Sequence, residues 1–168
     1  MTFSISELRS AFPALHQEIN DRPLCYFDNA ATTLKPQSVI DAELRYLSRD
    51  TANVHRGLHT LSARATADYE GTRAKLAQWL SVAEREVVYT RGTTESINIV
   101  AQCWARNILQ PGDEVVISTL EHHANIVPWQ IVCEQTGANL RVIPLSSDGH
   151  IDSDAASRII GPKTRLLA

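Results

Sequence analysis

Residues 86–144 read EVVYTRGTTESINIVAQCWARNILQPGDEVVISTLEHHANIVPWQIVCEQTGANLRVIP, and this stretch decides the fold. Short runs rich in β-branched residues alternate in it with longer runs of helical length. The predicted strands and helices are, in chain order, Glu86–Thr90, Thr93–Ile108, Glu114–Ser118, Val127–Gln135 and Leu140–Pro144. Alternating strands and helices predict an α/β fold with a parallel sheet, covered on both faces and joined by right-handed crossovers.

The alternation extends outward on both sides of this stretch. After it, the predicted elements are a helix over Asp152–Ile160 and a strand over Arg165–Ala168. Before it, they are a capped helix at Ser4–Leu8, a turn at Asp21–Pro23, a strand at Leu24–Phe27, a helix after Pro36 with an apolar stripe (Val39, Ile40, Leu44, Leu47) and a helix over Thr60–Leu80. We assign residues 1–20 to an N-terminal arm and residues 21–168 to an incomplete α/β domain. Because the chain stops where a strand should enter the sheet, we expect it to be the first part of a longer polypeptide.

Composition and charge favour a globular domain over a membrane protein or a nucleic-acid-binding protein. The chain has 168 residues, of which 43% are apolar and 21% charged, as is ordinary for a globular domain. Its net charge of -3 gives no electrostatic reason to expect nucleic acid or an anionic membrane as a partner. No apolar run approaches the roughly 20 residues of a membrane span, and the start of the chain lacks the basic and apolar regions of a signal peptide.

The three cysteines, Cys25, Cys103 and Cys133, match no disulfide or metal-binding pattern. Apolar neighbours flank each of them, which favours a packing role over that of a catalytic nucleophile. We interpret them as reduced thiols, and this predicts a cytoplasmic protein without a structural metal.

A polar run at Gly92-Thr93-Thr94-Glu95 follows one predicted strand and opens a helix. Glycine lets the backbone approach an oxygen closely, and the threonine hydroxyls and the first helical amides can donate to a phosphate. The alternative is an ordinary helix start, with Thr93 as the capping residue. The run is not a P-loop, because no Gly-Lys-Ser/Thr follows it.

A histidine pair, His122-His123, follows the next predicted strand. Adjacent side chains on an extended or turning segment point in different directions, so the pair does not predict a shared metal. Either histidine could be a structural hydrogen-bonding residue, or a ring that stacks on a planar heterocycle at the strand end.

Two further segments carry candidate ligand contacts. Asp28–Thr33 contains small residues that permit close backbone approach to a ligand, although a plain turn fits equally well. Asn53–Gly57 places His55 beside Arg56, whose guanidinium could bind a carboxylate through two hydrogen bonds. The alternative for this second segment is a solvated loop.

Four segments taken together resemble one family. Tyr26–Thr32, Asn53–Gly57, Arg91–Asn98 and Glu121–Trp129 occur in the order and spacing of the cysteine desulfurases of the class V aminotransferase family. The similarity is greatest to the SUF-type (group II) enzymes, also described as selenocysteine lyases. It covers essentially all 168 residues, and the Glu-His-His-Ala-Asn run followed by Pro-Trp is its most specific part.

The resemblance implies a fold-type I transferase that depends on pyridoxal 5'-phosphate. Residues 21–168 would be the N-terminal part of its large, cofactor-binding domain, ending before the lysine that forms the Schiff base. Thr94, with Thr93 and nearby amides, would hold the cofactor phosphate. His122 would stack on the pyridine ring and act as the catalytic residue that transfers a proton near the substrate.

The same resemblance implies where the substrate would bind. Ala30 and Ala31 would line the side of the substrate carboxylate with their backbone, and His55 and Arg56 would lie near the mouth of the site. The family is homodimeric, with sites at the subunit interface, and Glu95 and Asn98 would lie beside that interface.

The implied activity is the removal of sulfur from L-cysteine, which gives L-alanine and an enzyme persulfide. The sulfur would pass to an acceptor protein of the SUF type for iron–sulfur cluster assembly, and L-selenocysteine would be a related substrate. Several family features do not occur here: the Ser-Gly-His-Lys lysine, the Asp-Gly-Ala aspartate, the carboxylate-binding arginine and the late nucleophilic cysteine. We therefore expect these 168 residues alone to be inactive. The alternatives are another class V enzyme, such as an aminotransferase or kynureninase-like lyase, and a non-catalytic truncated fragment.

Overall fold

A computed structural model describes residues 4–168, so the first three residues of the predicted arm lie outside it. The chain forms two compact units, one ending at Val87 and the other comprising Val88–Ala168. The assignment of residues 1–20 to a separate arm stays a prediction.

A three-stranded parallel sheet organises the second unit. Its strands are β3 (Glu114–Ser118), β4 (Asn139–Ile143) and β5 (Thr164–Leu167), in the spatial order β4-β3-β5. Glu114 lies opposite both Asn139 and Thr164, and β5 contains one irregularity after this first pair. The parallel pairing confirms the predicted α/β fold, and all three strands lie within two residues of their predicted bounds.

The helices of this unit also follow the prediction. They are α4 (Thr93–Ile99), which continues through a π-helical turn (Val100–Ala105) into α5 (Arg106–Ile108), then α6 (Val127–Thr136) and α7 (Ser153–Ile159). Gly137 ends α6 with a left-handed φ of 74°, which glycine adopts without steric cost. Asp152 begins α7 by accepting a hydrogen bond from the Ala155 amide at 2.8 Å.

The core of the second unit surrounds the central strand. Val115, Val116 and Ile117 are at most 2% exposed, because helices or neighbouring strands cover β3 on every side. Val115 and Ile117 share one core cluster with small or apolar residues from the flanking helices and loop: Ala101, Ala105, Leu109, Trp129, Val132 and Cys133.

The first unit is helical. Its main elements are α1 (Ile5–Ser10), α2 (Gln37–Arg45) with a π-helical turn (Tyr46–Asp50), and α3 (Thr60–Leu80), with a short 3₁₀ turn at Pro13–His16. The predicted cap of α1 is present, since Ser4 and Glu7 form a reciprocal capping box. The apolar stripe predicted after Pro36 exists but is solvent-exposed, at 40–64% for Val39, Ile40, Leu44 and Leu47. Between residues 4 and 168, no helix has both the length and the apolarity to cross a bilayer.

Two predicted strands are absent. Glu86–Thr90 instead contains the end of a 3₁₀ turn (Glu84–Glu86) followed by residues that pair with no described strand, and Val88 is 71% exposed. Leu24–Phe27 likewise forms no strand, although the Leu24 amide donates to Gln17 O at 2.9 Å. A run of strand-forming residues becomes a regular strand only when a neighbour supplies its hydrogen bonds.

The predicted turn at Asp21–Pro23 is part of a small hairpin. Its strands are β1 (Glu18–Ile19) and β2 (Arg22–Pro23), paired antiparallel. Asn20 and Asp21 connect them with φ of 53° and 58°, the two positive values that a tight hairpin turn requires. The turn therefore lies at residues 20–21, one position earlier than its predicted start.

Candidate functional site

The start of α4 is shaped by Gly92. Its backbone has φ 158° and ψ 174°, a conformation that residues with side chains avoid. No atom lies within 4 Å of the position that a Cβ on Gly92 would occupy. Glycine is therefore needed for its backbone freedom rather than for space. Gly92 is the residue that precedes the helix, so the alternative in which Thr93 caps it is wrong.

The first turn of α4 presents unpaired hydrogen-bond donors. The amides of Thr93, Thr94 and Glu95 and the hydroxyls of both threonines have no acceptor within residues 4–168. Both threonines are exposed. Unpaired amides at the positive end of a helix dipole bind anions, and phosphate groups in particular. This arrangement agrees with the phosphate-binding interpretation of the run.

Glu95 lies close to these donors but is paired with Arg91. Its carboxylate accepts from the Arg91 amide at 2.6 Å and from the Arg91 Nη2 at 2.9 Å. The guanidinium hydrogen bond, followed by that of the amide, holds the pKa of Glu95 below its usual value. The positive charge of Arg91 thus offsets the negative charge beside the donors.

His122 begins a 3₁₀ turn at His123–Asn125. Its Nδ1 accepts a hydrogen bond from the Ala124 amide at 3.1 Å, which places the ring proton on Nε2 in the neutral tautomer. The ring is exposed, and Nε2 has no protein partner in the described part of the chain. The ring of His123 stands at 78° to it, with the centroids 6.0 Å apart.

A chain of hydrogen bonds holds the segment that carries His122. Ser118 at the end of β3 donates to Glu121 at 2.9 Å, and Asn125 Nδ2 donates to the other Glu121 oxygen at 2.8 Å. The indole of Trp129, on α6, donates to Asn125 Oδ1 at 2.8 Å. Sequence reasoning missed these positioning residues, although the four-residue spacing of Glu121, Asn125 and Trp129 was a usable signal.

The threonine run and the histidine turn are neighbours in the second unit. The helix that begins at Thr93 contacts the turn His123–Asn125. The structure therefore brings together the two segments that the sequence identified as cofactor-binding.

The remaining candidate residues belong to the first unit. Ala30 and Ala31 are exposed on a tight loop, in which the amides of Ala31 and Thr32 donate to Asp28 O at 3.2 and 3.1 Å. The Tyr26 hydroxyl lies 2.8 Å from Thr32 O and 3.1 Å from Asp28 O, so it stiffens this loop. The proximity of these residues to Thr94 and His122 stays a prediction.

His55 and Arg56 occupy a second loop of the first unit. His55 has a φ of 68°, and its Nε2 lies 2.7 Å from Glu70 Oε1. The exposed Arg56 guanidinium forms no hydrogen bond or ion pair with any residue that the structure describes. Arg56 thus has the free donor fork that carboxylate binding requires.

The packing role predicted for the three cysteines is right for Cys133, which is buried, and wrong for Cys25 and Cys103, which are exposed because their apolar neighbours do not cover them. Within residues 4–168, no group of three or more His, Cys, Asp and Glu side chains could hold a metal ion. Burial raises the pKa of the Cys133 thiol, which keeps it protonated and inert near neutral pH.

Comparison with known proteins gives one consistent family. The model of the class-V aminotransferases matches residues 25–168. A cysteine desulfurase of Klebsiella pneumoniae subsp. pneumoniae is 50% identical over 169 aligned residues, which are 100% of this chain and 42% of the relative.

Solved structures agree with this result. The cysteine desulfurase CsdA from Escherichia coli superposes with a TM-score of 0.78 at 42% identity, over 99% of this chain and 41% of that one. The apo cysteine desulfurase from Thermococcus onnurineus NA1 gives a TM-score of 0.86 at 33% identity, over 99% and 40%. The chain thus spans about two fifths of the length of the relatives it matches.

Proposed function

The chain belongs to the class-V aminotransferase family, and on that premise we propose that it forms the N-terminal part of a cysteine desulfurase dependent on pyridoxal 5'-phosphate. The observation that carries the proposal is the set of unpaired donors at the start of α4, beside the turn that carries His122. The names and the 47–50% identity of the relatives support the choice of activity.

The donors at Thr93–Glu95 fit the phosphate of the cofactor. Three amides and two hydroxyls can surround its oxygens, and the open space at Gly92 allows close approach. The side chain of Asn98 donates to Thr94 O at 2.8 Å, which stiffens the first turn. When bound, pyridoxal phosphate supplies an electron sink for the α-carbon of an amino acid.

His122 would act on both the cofactor and the substrate. Its ring is held by the bond from the Ala124 amide, so the exposed imidazole face can stack on the planar heterocycle. Its Nε2 carries the exchangeable proton, which it can pass to or from a substrate atom.

The first unit would supply the substrate contacts. Arg56, with His55 beside it, would contact L-cysteine or L-selenocysteine at the mouth of the site, and Ala30 and Ala31 would line the substrate carboxylate with their backbone. The sulfur would pass from substrate to a protein cysteine outside these 168 residues and on to a SUF-type acceptor, leaving L-alanine. We further propose a cytoplasmic homodimer, with Glu95 and Asn98 beside its interface.

The test compares Thr94→Val with Thr72→Val in the full-length polypeptide. The Thr72 hydroxyl is exposed and donates only to Asp68 O of its own helix, at 2.8 Å, so it is a matched control. Thr94→Val should weaken pyridoxal phosphate binding about tenfold or more, the cost of a hydrogen bond to a charged group. Cofactor absorbance and alanine release from L-cysteine are the measurements.

Two further measurements distinguish the desulfurase from the alternative functions. Release of alanine only from kynurenine-type substrates, or transfer of the amino group to a keto acid, would replace the desulfurase by another class-V activity. The 168 residues alone should release no alanine, because they contain neither the Ser-Gly-His-Lys lysine nor the late cysteine.

A further inference from the structure

One face of α3 holds the loop that carries Arg56. Ser62, Thr66 and Glu70 are spaced four residues apart and therefore lie on one side of the helix. Each forms a hydrogen bond with the segment Asn53–Gly57.

Ser62 fixes both ends of the segment. It is only 1% exposed, its hydroxyl donates to Asn53 O at 2.6 Å, and the same oxygen accepts from the Gly57 amide at 2.9 Å. A Cβ on Gly57 would lie 2.3 Å from Ser62 Cβ, so the loop and helix are in the closest contact that glycine allows.

Thr66 and Glu70 fix the middle of the segment at His55. The His55 amide donates to Thr66 Oγ1 at 2.9 Å, and its Nε2 donates to Glu70 Oε1 at 2.7 Å. Arg73 Nε donates to the second Glu70 oxygen at 2.8 Å, which orients the carboxylate. These bonds offset the cost of the left-handed backbone at His55, where φ is 68°.

Arg56 is the residue after His55 in the chain, and its guanidinium forms no hydrogen bond or ion pair with any described residue. A guanidinium whose backbone is held beforehand loses less entropy on binding than one on a mobile loop. We propose that Ser62, Thr66 and Glu70 are positioning residues that act through His55 and the loop backbone to hold Arg56 against the substrate at the mouth of the site. This inference rests on the proposed desulfurase function, and it makes His55 an anchor of the loop.

The experiment uses Thr66→Val in the full-length holoenzyme, since valine keeps the shape of threonine and removes the acceptor for the His55 amide. Thr72→Val, on the same helix, is the control. We expect Thr66→Val to lower kcat/KM for L-cysteine about three- to tenfold, the factor for one hydrogen bond, mainly by raising KM. Cofactor absorbance should not change, and Thr66→Ser, which keeps a hydroxyl, should restore KM.

A double-mutant cycle with Arg56→Ala identifies the route of the effect. If Thr66 acts through Arg56, then Thr66→Val should change kcat/KM by less than twofold in the Arg56→Ala background. The positioning role is wrong if Thr66→Val lowers kcat/KM by the same factor with and without Arg56→Ala, or by no more than Thr72→Val does. Either result would leave the proposed desulfurase function unaffected. A wild-type holoenzyme that releases no alanine from L-cysteine would refute the function, and the positioning role would fall with it.

Discussion

Glu121→Gln tests whether the hydrogen-bond chain behind His122 holds the histidine segment. Glu121 accepts from Ser118 Oγ at 2.9 Å and from Asn125 Nδ2 at 2.8 Å, one bond on each carboxylate oxygen. Glutamine has the same shape but no charge and only one acceptor oxygen, so the Ser118 hydroxyl must turn to accept from its NH₂ group while its oxygen accepts from Asn125. The substitution turns both bonds to a charged acceptor into neutral bonds at best.

The size of the effect follows from these contacts. A hydrogen bond to a charged group contributes about 1.5–3 kcal/mol and a neutral one about 0.5–1.5 kcal/mol, so each of the two bonds loses about 1 kcal/mol. Ser118 is 7% exposed, so water does not readily strengthen the weakened bond. We expect Glu121→Gln to lower the free energy of unfolding by about 1–3 kcal/mol and to weaken pyridoxal phosphate binding, because the segment that carries His122 loosens.

The assay is urea unfolding of the full-length protein, followed by near-ultraviolet circular dichroism, with cofactor affinity measured by absorbance. Glu134→Gln is the control, because Glu134 is an exposed acid on α6 with no ion pair to any residue of the described chain. If both variants lose the same free energy and bind the cofactor equally well, the hydrogen-bond chain does not hold the segment.

Three further predictions concern the glycine, the acid groups and the buried thiol. Gly92→Ala should lower the free energy of unfolding by about 1–3 kcal/mol through backbone strain, and it should weaken cofactor binding. Gly71→Ala, within α3, should raise the free energy of unfolding by up to about 1 kcal/mol. Equal melting temperatures of the two variants would contradict this prediction. A hydrogen bond from Arg73 holds the pKa of Glu70 below 4.5, and one from Arg91 does the same for Glu95. The two ionised carboxylates therefore stabilise the folded protein above pH 4.5. This stabilisation is lost as the pH falls through the lowered pKa values of the folded state. Melting curves between about pH 5 and pH 3 should therefore show a smaller acid loss in Glu70→Gln than in wild type, and an unchanged acid loss would exclude the contribution. Cys133, whose pKa is raised by burial, should resist alkylation at pH 7.5 until the protein unfolds; peptide mass spectrometry that finds it labelled in the native state would refute its burial.

The central strand shows what local sequence can predict. Glu114–Ser118 was predicted with its observed bounds, because a continuous β-branched run beginning two residues after Gly112 suits a strand that is buried on both faces. Thr60–Leu80 was also predicted with its observed bounds. Helices supply their own backbone hydrogen bonds, so their sequence pattern suffices.

The missed strands show the limit of that approach. Val87–Thr90 and Leu24–Phe27 have strand-forming residues but form no regular ladder with another strand within the part of the chain that the structure describes. A strand is a property of two segments, and composition reports on only one of them. The exposed apolar stripe of α2 has the same cause, since amphipathicity predicts a face to be covered without identifying what covers it.

The sequence by itself determined the α/β alternation, the family and the identity of the candidate residues Thr94, His122 and Arg56, because these depend on residue type and spacing. Only the tertiary structure decided how the residues are held. It placed Gly92 rather than Thr93 before the helix, linked Glu121 to Trp129 through Asn125, and fixed the Arg56 loop along one face of α3. Hydrogen bonds between side chains depend on distances and angles of a few tenths of an ångström and a few tens of degrees, which appear only after the chain has folded.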